Sequence, residues 1–271
     1  MRRISILLLT LAFGGVLVAG CDSSPSRPTP AQPIVINQPP LPPPIQEAPA
    51  PYRAQLHAEI AAGFFERGQM DIALQELAEA VKLDPRNPKI YNVYGLVYTV
   101  MGQDADAQAN FLKGLELAPN DSEIRQNWGW FLCTHGRPKE SIAEFEIAVR
   151  NPLYRTPDVS LTNAGKCAAS SGDPVRAAEF YKRALAIAPN NQVAGYNLAL
   201  LAYRERNLAD ARTYMRRVMQ QTSPPPEALY LGMCIERKLG DQQSEASYVS
   251  QLRNRYPQSA EALAIPAGVC E

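Results

Sequence analysis

Histidine is almost absent: His57 and His135 are the only two in 271 residues. That excludes a histidine-rich metal centre. Cys133-Thr134-His135 has no zinc spacing, and no second ligand pair completes it. There is no glycine-rich phosphate loop and no Gly-x-Ser-x-Gly elbow. Charge of one sign is lacking too. Lys and Arg number 27, Asp and Glu number 27, and the pI is near 6.8, so composition offers no basic surface to a nucleic acid. Acidic side chains such as Glu76, Glu79 and Glu144 fit solvated helix faces. The composition points away from an enzyme, and it names no catalytic residue, metal, cofactor or small-molecule substrate.

What is present begins at the N-terminus. Arg2 and Arg3 precede an apolar run from Ile4 to Val18, too short to span a bilayer, and small residues follow at Ala19 and Gly20. This pattern is a secretory signal. It closes on Leu17-Val18-Ala19-Gly20-Cys21, which resembles the cleavage and lipidation site of bacterial lipoproteins. Residues 1–20 are then a signal peptide, and Cys21 is the lipidated first residue of the mature chain, anchored to a membrane without crossing it. Asp22 follows, a residue that tends to hold enteric lipoproteins in the inner membrane. Residues 22–51 contain eleven of the 24 prolines. Proline fixes φ and removes backbone donors, so 21–51 is expected to be a tether, up to about 90 Å long at ~3.1 Å per residue.

From Tyr52 to Glu271 the composition shifts to Ala, Leu, Tyr, Glu and Gln. Self-comparison then gives a 34-residue step: Gly68, Gly102 and Gly136; Gly95 and Gly129; Ala73 and Ala107; Phe111 and Phe145; Pro85 and Pro119. That period marks the tetratricopeptide repeat, a helical hairpin that stacks on its neighbours. The small residues allow close approach of two helices, and the aromatics fill the space beside them. The fold expected is all-α: a superhelix of six hairpins over 52–271, with a short capping helix at Ser259 to Leu263. In the fifth repeat Arg206-Asn207 replaces the turn glycine. Between Gly129 and Gly165 the step is 36, which places an enlarged loop at Asn151 to Pro157.

Four cysteines remain beyond Cys21, an even number in an exported chain. Cys133 and Cys167 belong to the first helices of adjacent repeats. Cys234 lies in the sixth repeat and Cys270 in the tail that folds against it. Pairing 133 with 167 and 234 with 270 joins neighbours; the alternative is four buried free thiols. The exposed positions of the first helices read Phe65, Leu96, Thr99, Trp130, Lys166, Tyr196, Leu200, Tyr203 and Arg204. This is an apolar, aromatic groove suited to a helix or an extended apolar segment of a protein partner. Trp130 could equally belong to the core. Asn127, Asn163 and Asn197 share one register, but a carboxylate clamp would need lysine and arginine partners that are mostly missing.

The string Asn127-Trp128-Gly129-Trp130-Phe131-Leu132-Cys133, followed by Gly136 and by Cys167 one repeat later, resembles the type IV pilus biogenesis lipoproteins PilF and PilW, the pilotins of the pilus secretin. The resemblance spans lipidation site, tether and repeats. It implies a non-enzymatic protein of the outer membrane, facing the periplasm, that binds secretin subunits and promotes their insertion and multimerisation. The rival expectation is a lipoprotein scaffold for another envelope machine: a tight-adherence pilus, β-barrel assembly or peptidoglycan enzymes.

Overall fold

The computed structural model describes residues 48–220, 223–267 and 270. The expected signal peptide, Cys21, Asp22 and most of the expected tether lie outside the described residues. Among those described, every regular element is a helix. Six hairpins follow one another: α1 (Ala50–Glu66) with α2 (Met70–Leu83), α3 (Pro88–Val100) with α4 (Asp104–Leu117), α5 (Ser122–Thr134) with α6 (Pro138–Val149), α7 (Pro157–Ser170) with α8 (Pro174–Ile187), α9 (Gln192–Arg204) with α10 (Leu208–Val218), and α11 (Pro226–Leu239) with α12 (Gln242–Arg255). A short α13 (Ala260–Ala264) and one 3-10 turn (Ile265–Ala267) follow. This is the superhelix of hairpins expected from the period.

Helix α1 starts at Ala50, two residues inside the stretch assigned to the tether. Pro51 sits in its first turn, where a missing N–H costs nothing and the fixed φ already suits a helix. Proline therefore did not mark the end of the extended segment.

The boundaries repeat because their chemistry repeats. Asn87, Asp121 and Asn191 close equivalent loops, and each side chain accepts a hydrogen bond from the first turn of the next helix. Such caps satisfy donors that the helix cannot. Within hairpins the reversal is a glycine of positive φ, as at Gly136 (φ 72°). The Arg137 N–H then reaches back to the Leu132 carbonyl at 2.9 Å, the six-to-one bond of a Schellman turn. Arg206 makes the same reversal at φ 61°, and Asn207 N–H donates to the Ala202 carbonyl at 2.8 Å. The turn survives the loss of glycine, at some strain for a side chain in this region.

Packing inside the second, third and fourth hairpins is a glycine facing an aromatic ring. A Cβ on Gly95 would meet the Phe111 ring at 2.6 Å, and one on Gly129 would meet Phe145 at 3.0 Å. Cores are local to neighbouring hairpins. Trp128, Phe131 and Leu132 of α5 close on Phe111 of α4, and a larger cluster links α9, α10, α11 and α13.

Two inter-hairpin connections are long, 150–156 and 219–225. The first is the enlarged loop expected. The second hides in the sequence: α10 stops early, at Val218, ahead of Pro224-Pro225-Pro226, so the 34-residue step is kept while the helix is shortened.

Candidate docking groove

The first helices of the hairpins supply one face of the array, and its register files can be followed by number. Leu96, Trp130, Lys166 and Leu200 form one file, whose next member in the sixth hairpin is Cys234. Thr99, Cys133 and Tyr203 form a second, whose next member is Arg237. Both disulfide-bonded pairs therefore touch this face. Cys133 is bonded to Cys167 with Cα atoms 5.8 Å apart. Cys234 is bonded to Cys270 with Cα atoms 5.4 Å apart. Both separations lie in the range that a disulfide requires.

The residues assigned to the groove divide into groups. Trp130 is 39% exposed, while Trp128 beside it is buried. Trp130 thus stands at the surface of this face, and Trp128 is the core tryptophan of the pair. Lys166 and Arg204 are exposed, and Leu96 is half-buried against the Trp128 and Phe131 cluster. Phe65 is half-buried on the first hairpin's core. Thr99 spends its hydroxyl on the Gly95 carbonyl at 2.6 Å, within its own helix. Tyr196 and Leu200 are half-buried against the C-terminal cluster.

Tyr203 does not line an open groove. It is 4% exposed, its hydroxyl donates to the Cys270 carbonyl at 2.9 Å, and Lys238 lies over its ring at 4.3 Å. The tail folded across it is what the repeat pattern could not reveal.

Two members of the asparagine file are engaged within the protein. Asn127 donates to Asn92 at 3.0 Å, and Asn197 donates to the Val193 carbonyl of its own helix at 2.7 Å. These amides brace helices, and no carboxylate clamp is built on them.

The enlarged loop contributes residues that the sequence reading left out. Tyr154 bonds to Gln126 across the loop and approaches Ser160 Oγ at 3.1 Å. Asn151 donates to Ser122 Oγ at 3.1 Å and accepts from Leu153 N–H at 3.0 Å. This network holds the loop over the groove and leaves Leu153 86% exposed. Between the loop and α5 lies a cleft of about 620 Å³, lined by Leu96, Gln126, Asn127, Leu153, Tyr154 and Arg155. The two-residue excess located the loop, but its reach depends on side-chain hydrogen bonds that no period encodes. A second, apolar pocket of about 200 Å³ lies between Val193, Tyr196, Val218, Pro225 and Ala228.

Chemically, this surface offers shape, apolar anchors and scattered polar groups. Among the described residues no group of three or more His, Cys, Asp and Glu side chains is placed to hold a metal ion. No helix among them is long and apolar enough to cross a membrane. Such a face suits docking of a protein segment.

Comparison with known proteins agrees with this architecture. Tetratricopeptide-repeat models match residues 63–102, 88–121, 127–192 and 168–231. The chain is 24% identical over 205 residues to the type IV pilus assembly protein PilF of Pseudomonas aeruginosa, covering 76% of this chain and 81% of that protein. Among solved structures it superposes on PilW, described as a widely conserved type IV pilus biogenesis factor. The TM-score is 0.69 at 30% identity, over 79% of this chain and 98% of that one. The structure of Pseudomonas aeruginosa PilF gives a TM-score of 0.72 at 23% identity, over 81% of this chain and 99% of that one.

Proposed function

We propose, from the premise that this chain belongs to the PilF and PilW family of tetratricopeptide-repeat pilus biogenesis proteins, that it is the lipid-anchored pilotin of a type IV pilus secretin. In this reading Cys21 carries acyl chains that hold the protein on the periplasmic face of the outer membrane. The tether lets the array reach away from the lipid. The groove takes a segment of a secretin subunit and delivers the subunit for insertion and multimerisation. The role needs binding only, and the fold is one of adaptors.

One observation carries the reading. The likeness to PilW runs through nearly the whole of that protein, at 30% identity, and in this chain the aromatic α5 string that the resemblance rests on ends in Cys133, bonded to Cys167. The tetratricopeptide period itself prescribes neither the string nor the bond. Support for the anchor comes from the sequence from Leu17 to Cys21 and the prolines after it.

The test is a deletion strain. It is expected to keep secretin monomers and to lose heat-stable secretin multimers and surface pili. Normal multimers would refute the pilotin role. Mass spectrometry of the mature protein is expected to find an acylated Cys21, and a soluble form beginning elsewhere would remove the anchor.

A further inference from the structure

The groove is not open along its whole length. In the middle hairpins its files meet solvent: Trp130 is 39% exposed, and Thr99 and Cys133 are half-buried. At the C-terminal end one member of each file is covered, while Leu200 and Arg237 stay half-buried. Tyr203 is 4% exposed and Cys234 is 2% exposed.

What covers them comes from the C-terminal segment. Cys270 is bonded to Cys234. Its carbonyl accepts from the Tyr203 hydroxyl at 2.9 Å, and Arg237 Nη1 lies 3.7 Å from its sulfur. Ala262 and Ile265 are buried in the cluster against which Tyr196 and Leu200 pack. Residues from two groove files, Cys234 in one and Tyr203 and Arg237 in the other, thus converge on one residue of the tail.

We propose that the groove face of the fifth and sixth hairpins is a peptide-binding site, and that its ligand here is the chain's own C-terminal segment, locked in place by Cys234–Cys270. The seated segment defines the class of ligand: a short stretch with an aliphatic side chain for the apolar floor and a main-chain carbonyl for the Tyr203 hydroxyl. The lock adds to the burial of Ala262 and Ile265 and to the Tyr203 hydrogen bond in holding the segment. Helix α13 has five residues, too few to persist without outside support. The bond makes the segment's local concentration high and its escape slow. This site stands apart from the secretin reading and holds whichever partner occupies the rest of the groove.

The experiment uses the full chain with Cys21→Ser and Cys270→Ser, which leaves Cys133–Cys167 intact and turns Cys234 into the single reporter thiol. Reaction of Cys234 with Ellman's reagent is followed alongside far-ultraviolet circular dichroism. The expected result is ready labelling of Cys234 with the helical signal retained. A synthetic peptide of residues 259–271 carrying Cys270→Ser is then expected to slow labelling saturably, by about tenfold or more, as a bound ligand suppresses local opening. Failure of the peptide to protect would overturn the site. Continued burial of Cys234 without peptide would overturn the lock. Loss of the whole helical signal would show that the segment is core. Ile265→Ser, with the disulfide intact, gives an independent reading. Amide exchange in α11 is expected to rise while that of the first three hairpins is unchanged, and no rise in α11 would count against a seated ligand.

Discussion

Gly165 lies directly beneath the ring of Tyr181: a Cβ at this glycine would stand 2.5 Å from Tyr181 Cε1. The α7–α8 distance is set by that contact, since the ring is itself fully buried and has no room to retreat. Gly165→Ala is therefore expected to destabilise the protein by about 1–3 kcal/mol, the usual effect of overpacking a core. Urea denaturation measures it. An unchanged midpoint would mean that the ring can move aside.

Tyr181 has a second property. Its hydroxyl is buried without a hydrogen-bond partner, and burial pushes its pKa up to about 12. A pKa raised on folding favours the protonated form, so this stability is complete below pH 10 and is lost between about 10 and 12. Tyr181→Phe removes an unpaired polar group and is expected to leave stability at pH 7 unchanged or slightly higher. It is also expected to move alkaline unfolding to higher pH. A clear loss of stability at pH 7 would show that the hydroxyl has a partner.

In the groove, two acidic substitutions are expected to behave oppositely. Leu96→Glu places a charge at a half-buried position beside the cleft and is expected to abolish the secretin binding proposed above, with a melting temperature lowered by a few degrees at most. Tyr203→Glu buries a carboxylate where Tyr203 now meets Cys270 and is expected to destabilise the C-terminal hairpins severely. Thermal melts paired with co-purification separate the two. Equal losses of stability would place Leu96 in the core.

Cys133→Ser opens a loop whose ends are separated by 34 residues. By chain entropy the bond contributes about 3–4 kcal/mol. Denaturation of the variant is expected to show a loss of that order, and non-reducing peptide mapping of the parent is expected to yield the Cys133–Cys167 peptide. Two free thiols in oxidised material would remove the bridge.

The fold was legible because a solenoid repeats its reasons. Gly95, Gly129 and Gly165 recur where a large ring must be admitted, and Gly68, Gly102 and Gly136 recur where the chain reverses. Arg206 was readable too, as a residue placed where the reversal had to be. What stayed hidden was whatever the period conserves or does not touch. The early end of α10 leaves the step at 34, so the count could not register it. Trp128 and Trp130 differ only in which way a helix turns them. The burial of Tyr203 depends on a non-repeating tail, and the reach of the 150–156 loop depends on Tyr154 finding Gln126.

The Cys133–Cys167 bridge also has a mechanical meaning. A solenoid flexes between repeats, where only neighbours touch. Of all helices from different hairpins, α6 and α7 share the most extensive contact, and the bridge clamps the same junction from the groove side. The array is then a spring with a stiff central coil. Its compliance is pushed outward, to the junctions between the first three hairpins and to those beyond the fourth. Any widening of the groove to admit a ligand takes place on either side of a centre that does not give.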